Sequence, residues 1–300
     1  MEALSQPEIN SEPVPVDGAR SLPQLAGILA IATIGLLAYP SVCIAEEGFD
    51  ASRETLPVAV QPAWEATFSV AALPGRKGGI GSAVLIASKP MGSGKLALYL
   101  LTADHVVASK CGPRLGACEN IVLSSSRNDA IEDSPKRTVT GAEVAGRLEP
   151  EDLSLLKIEV EDGEAWALRP VPVAEHCDPK PGQPVFLVGF PNALTRSAGD
   201  MKPIDDQAVL KRRWSKGIVL GPVSSQGDWV GTTADALQGS SGGPAFDADG
   251  GLIGVLHRVA GPRYAGNESE DKTRRSWQSL LVRCESIRTF LEDSLKSRSE

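Results

Sequence analysis

Histidine, cysteine and basic runs are scarce in this chain of 300 residues, which has three histidines, five cysteines and no block of lysine or arginine. Lysine and arginine total 30 against 38 aspartates and glutamates, a net charge of −8. A surface that neutralises phosphates needs clustered cations, so nucleic acid is not an expected partner. The cysteines form no Cys-x-x-Cys pair and no cluster with histidine, so no metal site is expected, and no motif implies a cofactor. There is no internal repeat. No helical patterns alternate with the strand-like segments, which argues against a sheet layered with helices.

Glycine is abundant, at 30 residues, and apolar side chains make up 42% of the chain. That supply suits one large all-β domain or two small ones, each with its own core. At the N-terminus, residues 1–20 are polar and end in Arg20, and the run from Leu25 to Ala45 is apolar apart from Thr33, Pro40 and Ser41. An apolar stretch closed by a proline, with small residues before Glu46, has the shape of a secretory signal cleaved after Ala45. The acidic, long leading region is unusual for a signal, and the run approaches the roughly 20 residues that span a bilayer. The expectation is a secreted or periplasmic protein, or one anchored in a membrane through residues 25–45; membrane contact follows only if that segment is uncleaved.

Cys43 falls inside this segment, leaving Cys111, Cys118, Cys177 and Cys284, an even number that suits an oxidising compartment. Four cysteines allow three connectivities. The seven-residue spacing of Cys111 and Cys118, with Gly112, Pro113 and Gly116 between them, suits a local loop, which leaves Cys177 to pair with Cys284. Free buried thiols are the alternative.

From Ala63 onward, short β-branched and aliphatic runs are punctuated by Gly, Pro, Asn and Asp. This pattern predicts strands at Ala66–Ala71, Ile80–Ala87, Lys95–Thr102, Asn120–Ser124, Ala142–Arg147, Leu153–Val160, Pro184–Gly189, Trp214–Leu220, Trp229–Thr233, Pro244–Asp247 and Gly251–Val259. A proline-rich stretch from Arg169 to Pro184 divides them into two halves, as two small barrels joined by a linker would require. Ile287, Phe290, Leu291 and Leu295 then recur at helical spacing between Cys284 and Lys296. The expected organisation is a signal or anchor at 1–45, an irregular arm at 46–61, barrels at 62–168 and 169–283, and a terminal helix at 284–300.

Three strings carry candidate chemistry. In Gly239-Ser240-Ser241-Gly242-Gly243-Pro244 the glycines permit a tight turn that can aim amide N–H groups at one point. A serine hydroxyl there needs a base within hydrogen-bond reach. Leu100-Leu101-Thr102-Ala103-Asp104-His105 reads as a strand ending in a histidine, the usual general base. Glu151-Asp152-Leu153-Ser154-Leu155-Leu156 places an acid at the head of an apolar strand. Taken singly, these are equally a hairpin turn, a structural histidine and a solvated turn acid.

Together they resemble the chymotrypsin-like serine proteases, in which a Thr-Ala-x-His strand end, an Asp-Leu-x-Leu-Leu strand and Gly-x-Ser-Gly-Gly-Pro follow in that order. Further local matches are Gly81-Ser82-Ala83-Val84-Leu85-Ile86, Val188-Gly189-Phe190-Pro191 and Ile253-Gly254-Val255. The resemblance implies an all-β fold of two six-stranded Greek-key barrels with a C-terminal α-helix. It also implies endopeptidase activity on protein or peptide substrates, with Ser241 as nucleophile, His105 as general base and Asp152 orienting it. Gly239 and Ser241 would supply the oxyanion hole. The trypsin type carries an aspartate before the nucleophile, where this chain has Ser240, so activation by a newly cut N-terminus is not expected. That departure is closer to the bacterial HtrA-type and glutamyl-endopeptidase-like branch, and with the sequence ending at Glu300 no PDZ domain is expected.

Two other readings compete. Gly239-x-Ser241-x-Gly243 also fits the nucleophile elbow of an α/β-hydrolase esterase, but that elbow needs a following helix, and Pro244–Asp247 reads as a strand. A non-catalytic binding module on the same fold is the second. For specificity, Asp235 lies six positions before Ser241, where the trypsin type holds its pocket acid; it is equally a loop residue accepting backbone N–H groups. His257 is the other pocket candidate, resembling the acid-selecting histidine of glutamyl endopeptidases but displaced one position by Leu256.

Overall fold

Alternating or fully apolar β-branched segments leave backbone groups that must pair, and here they pair into closed barrels with no free edge. The computed structural model describes residues 53–73, 79–92, 94–125, 138–163, 168–191, 212–223, 229–260 and 278–296. The expected signal or anchor at 1–45 lies outside the described residues. Residues 45–300 form one unit.

The first barrel is built from β1 (Thr67–Ala72), β2 (Gly81–Met91), β3 (Lys95–Ala103), β4 (Gly116–Ser124), β5 (Thr138–Leu148) and β6 (Leu153–Glu161). The second comprises β7 (Pro184–Gly189), β8 (Arg213–Pro222), β9 (Trp229–Thr232), β10 (Pro244–Phe246), β11 (Leu252–Ala260) and β12 (Gln278–Arg283). Their strand orders are β1-β2-β3-β6-β5-β4 and β7-β8-β9-β12-β11-β10. The two barrels therefore share one topology, although the sequence shows no repeat. Among the described residues three α-helices complete the fold, α1 (Gln61–Glu65), α2 (Asp104–Cys111) and α3 (Cys284–Lys296), with a 3-10 turn at Glu149–Glu151.

The central strands of the first barrel are apolar for a physical reason. Seven consecutive residues of β3, Ala97–Ala103, are buried, because β3 lies between β2 and β6 along almost its whole length. The outer half of β6 alternates instead, burying Ile158 and Val160 and exposing Glu159 and Glu161. Phe68, Leu85, Leu98, Leu100, Leu101, Ile121, Leu123 and Leu155 are fully enclosed. This core continues through Phe246, Val255 and Val282 of the second barrel to Ile287 and Phe290 of α3. A smaller cluster of Val185, Leu187, Val219, Ala245, Ile253, Leu256 and Leu281 fills the second barrel.

The linker stitches the barrels together. Val171 N donates to Leu85 O at 3.0 Å, while Leu252 N donates to Pro172 O and Ala174 N to Leu252 O. Cys177 of this segment is bonded to Cys284, the first residue of α3, and Cys111 to Cys118, with Cα separations of 5.0 and 5.3 Å. Arg288 of α3 adds hydrogen bonds to the carbonyls of Ala174 and Glu175.

Several elements differ from the sequence reading. Strand β12 is not expected from sequence, because its apolar Leu280-Leu281-Val282 run is short, lacks alternation and abuts a helix. Strands β4 and β5 extend beyond their expected starts. The arm is not wholly irregular: Leu56 and Val60 are buried and Gln61 opens α1. His105 does not end a strand, since β3 stops at Ala103 and the next eight residues are helix α2.

Candidate active site

Helix α2 starts where the chain leaves β3, with Asp104 in its first turn, where a negative charge complements the helix dipole. Both of its ends are fastened to β5 by one buried side chain. Arg147 donates through Nη1 to Asp104 Oδ1 at 2.5 Å and through Nη2 to Gly112 O at 2.6 Å. Asp104 also accepts from the hydroxyl of Ser154 on β6. The second helix residue, His105, thus sits on a braced platform.

Asp152 precedes β6 in the left-handed region, with φ 58° and ψ 46°. It is the only non-glycine residue with positive φ among those described. A short polar side chain tolerates this conformation at a cost that its hydrogen bonds must outweigh. Those bonds are present: the backbone N–H of His105 donates to Asp152 Oδ1 at 2.7 Å, and His105 Nδ1 lies 2.7 Å from Oδ2. The Asp152 carbonyl also accepts from Asp104 N at 2.9 Å. Burial alone would raise the carboxyl pKa, but the hydrogen bonds from His105 and His257 outweigh it and hold Asp152 down at about 2. An ionised Asp152 that accepts from His105 Nδ1–H leaves Nε2 with a lone pair. The His105 side chain is 49% exposed, so that lone pair is accessible.

Ser241 comes from the second barrel, on the turn between Leu237 and Pro244. Gly239 and Gly242 have φ of +98° and +82°, conformations that side chains with a Cβ resist. A Cβ on Gly242 would sit 2.1 Å from Ser82 O, so the turn is also too close to β2 for any larger residue. Ser82 pins this turn from the first barrel, its N–H donating to Ser241 O at 2.7 Å and its hydroxyl to Gly239 O at 2.8 Å. Within the turn, Ser240 N donates to Leu237 O, Gly242 N to Leu256 O and Gly243 N to Ser240 O. Among the described residues the amides of Gly239 and Ser241 have no acceptor. These are the two amides expected to hold an oxyanion.

The chain matches the trypsin-like peptidase domain over residues 81–255, more than half its length. It belongs to that family. Among characterised proteins, Protease Do-like 1, chloroplastic, of Arabidopsis thaliana is 31% identical over 133 residues, which span 44% of this chain and 28% of that protein. The serine endoprotease of Yersinia pestis aligns with a TM-score of 0.51 at 20% identity, over 82% of this chain and 68% of that one. The HtrA-type protease AlgW aligns with a TM-score of 0.50 at 20% identity, over 78% and 60%. At these identities the structures establish the shared fold of two barrels.

In this trypsin-like peptidase domain, Ser240 is buried and its hydroxyl accepts from Leu237 N at 3.4 Å. The turn is thus shaped by neutral hydrogen bonds where the trypsin type uses a charged pair. Asp235 is half-buried on the segment leading to Gly239, whose backbone is tied to the barrel. Ser215 donates to Asp235 O at 2.6 Å, and Ser279 to Ala234 O at 2.7 Å. His257, the other pocket candidate, lies against Asp152 and Trp229. Its Nδ1 lies 2.5 Å from Asp152 Oδ2, and its ring packs at a tilt against that of Trp229, with centroids 4.0 Å apart. The ligand-type atoms of His105, Asp152 and His257 all fall within 4.8 Å, but separations of 2.7 and 2.5 Å are those of shared protons. Two donors on one tetrahedral zinc stand about 3.3 Å apart. A groove of about 620 Å³ between β5 and α3, lined by Arg147, Glu151, Phe290 and Asp293, contains none of His105, Ser241 or His257.

Sequence reasoning misses the roles of Ser82, Arg147 and His257. Ser82 is visible within Gly81–Ile86 as a local match, but nothing there indicates what it holds. Arg147 and Asp104 are distant in sequence, and nothing in their spacing announces the contact.

Proposed function

We propose that this chain is an exported serine endopeptidase acting on protein or peptide substrates through Ser241, His105 and Asp152. The observation that carries the reading is the double hold of Asp152 on His105, through the backbone N–H and Nδ1. It sets the imidazole tautomer that a general base needs. In this mechanism Ser241 Oγ attacks the scissile carbonyl carbon as His105 Nε2 takes its proton. The oxyanion is stabilised by the N–H groups of Gly239 and Ser241. Collapse breaks the C–N bond, the amine leaves with the proton from His105, and an acyl group remains on Ser241. Water, deprotonated by His105, then releases the acid product and restores the serine.

Among the described residues the Ser241 hydroxyl has no hydrogen bond, and a serine–histidine contact commonly tightens only when substrate binds. Two disulfides accord with an oxidising compartment and hence with export. The test is fluorophosphonate labelling of the purified protein followed by peptide mapping. Modification of Ser241 is expected. A protein that stays unlabelled while folded would instead be a binding module on a peptidase fold.

A further inference from the structure

His257 occupies a position where the strand carries one residue too many. On β11, Leu256 pairs with Leu281 of β12 and Arg258 with Leu280, so His257 is the extra residue of a β-bulge. Bulges re-aim a side chain, and this one follows directly on the residue that holds the nucleophile turn. Leu256 N donates to Gly243 O and Gly242 N donates to Leu256 O, each at 2.8 Å. The bulge turns the His257 ring onto Asp152, 6.1 Å from the ring of His105 and nearly perpendicular to it. The one-position displacement seen in the sequence is therefore absorbed as a change of direction.

We propose that His257 is a positioning residue for the catalytic pair, donating its Nδ1–H to the same Asp152 oxygen that receives Nδ1–H of His105. This rests on the assignment of Asp152 and His105 as that pair. Asp152 then accepts three N–H groups, one on Oδ1 and two on Oδ2. The carboxylate can neither rotate nor take a proton from His105 without breaking a second bond. The ring of His257 is itself held, with its side chain 18% exposed and packed at a tilt against Trp229 of β9. The titratable groups that face it are Asp152, from the segment before β6, and His105, from α2; Arg258 is its charged chain neighbour. The residues beside it on β9 and β12, Trp229, Leu280 and Leu281, carry no charge.

Sharing Oδ2 has a directional consequence. A carboxylate that already accepts from His257 has less left to offer a charge forming on His105 than one that is free. Removing the donor should raise the pH at which activity appears.

Two variants separate a donor from a packing residue. His257→Phe keeps a ring against Trp229 and removes the N–H. His257→Asn loses the ring and places an amide N–H where Nδ1 was. The measurement is the second-order rate of fluorophosphonate inactivation at Ser241 across pH 5–9, with thermal melting recorded for each protein. For His257→Phe the rate should fall about tenfold, the loss expected for one charge-assisted hydrogen bond. Its acid limb should move up by about half a pH unit. His257→Asn should recover the rate to within about threefold and return the limb, despite melting lower. A His257→Phe rate and pH profile equal to wild type, or Asn below Phe, overturns the proposal while leaving the protease reading intact. A wild-type protein that is never labelled at Ser241 overturns both.

Discussion

The two barrels share a strand order, yet they build their halves of the site from different materials. The first contributes side chains held by charge and hydrogen bonding: Arg147 grips both ends of α2, and Asp152 grips His105 twice. The second contributes mainly backbone, a turn whose glycines have positive φ and whose Gly239 and Ser241 amides lack acceptors among the described residues. Ser82 crosses between them. A proton relay needs groups whose ionisation can be set by neighbours, whereas an oxyanion hole needs fixed dipoles that cost nothing to reorganise. On the proposed mechanism, the same topology would meet two electrostatic requirements, one by side-chain chemistry and one by backbone shape.

The contrast should break most sharply at Ser241, the side chain of the second barrel proposed as nucleophile. Ser241→Ala should lower kcat by about 10⁶ while leaving the melting temperature within a few degrees, as in other serine proteases. On the first barrel Asp152→Asn should cost about 10⁴, because the amide N–H₂ would face one of the imidazoles that now donate to Oδ2 and favour the wrong tautomer. Active-site titration and steady-state kinetics on a peptide substrate measure both. An Asp152→Asn enzyme within about tenfold of wild type would place the catalytic acid elsewhere.

Backbone shape can be probed by two glycines of similar φ in different surroundings. Gly242 has φ +82° and a Cβ there would lie 2.1 Å from Ser82 O and 2.3 Å from Thr102 Oγ1. Gly112, at the end of α2, has φ +71° and nothing within 4 Å. Gly242→Ala should destabilise the protein by about 3 kcal/mol or more and abolish Ser241 labelling. Gly112→Ala should cost only the conformational penalty, about 1–3 kcal/mol, and leave labelling intact. Urea denaturation of both variants measures the gap. Equal losses would mean that φ alone, not the packing of the turn against the first barrel, decides its tolerance.

Most of the fold is legible in the sequence because short apolar runs separated by Gly, Pro, Asn and Asp have few other interpretations. Strand β12 is not, since a run of three apolar residues beside a helix has no period to read. The site divides in the same way. His105, Asp152 and Ser241 lie in strings whose order is informative, but helix α2 is silent because Asp104–Cys111 carries little amphipathic pattern. For His257 the sequence offers a pocket wall as one of several possibilities, with a spacing that is off by one. Only the bulge in β11 reveals that the shift redirects the side chain onto Asp152. Ser82 and Arg147 act through contacts between elements far apart in the chain, which local patterns do not encode.

The smallest expected effect concerns a charge in the first barrel that is not part of the relay. Lys110 on α2 is buried, and Nζ donates to Val106 O at 2.8 Å and to Ser109 Oγ at 3.5 Å, both neutral acceptors. Burial lowers its pKa from 10.5 to about 8. Because the folded state holds this proton less tightly than the unfolded state, stability rises with pH between about 8 and 10.5, and the full penalty is present below about 8. Lys110→Met removes the penalty at the cost of the bond to Val106 O, so a net gain of about 1–2 kcal/mol is expected at pH 7. The gain should shrink as pH rises and vanish near the unfolded pKa. Urea midpoints of wild type and variant at pH 7 and pH 10 measure this, with Ser241 labelling unchanged because Lys110 touches neither the relay nor the nucleophile turn. A gain equal at both pH values would locate the benefit in packing. A loss at pH 7 would show that the charge of Lys110 supports α2, making it a second brace for His105 beside Arg147.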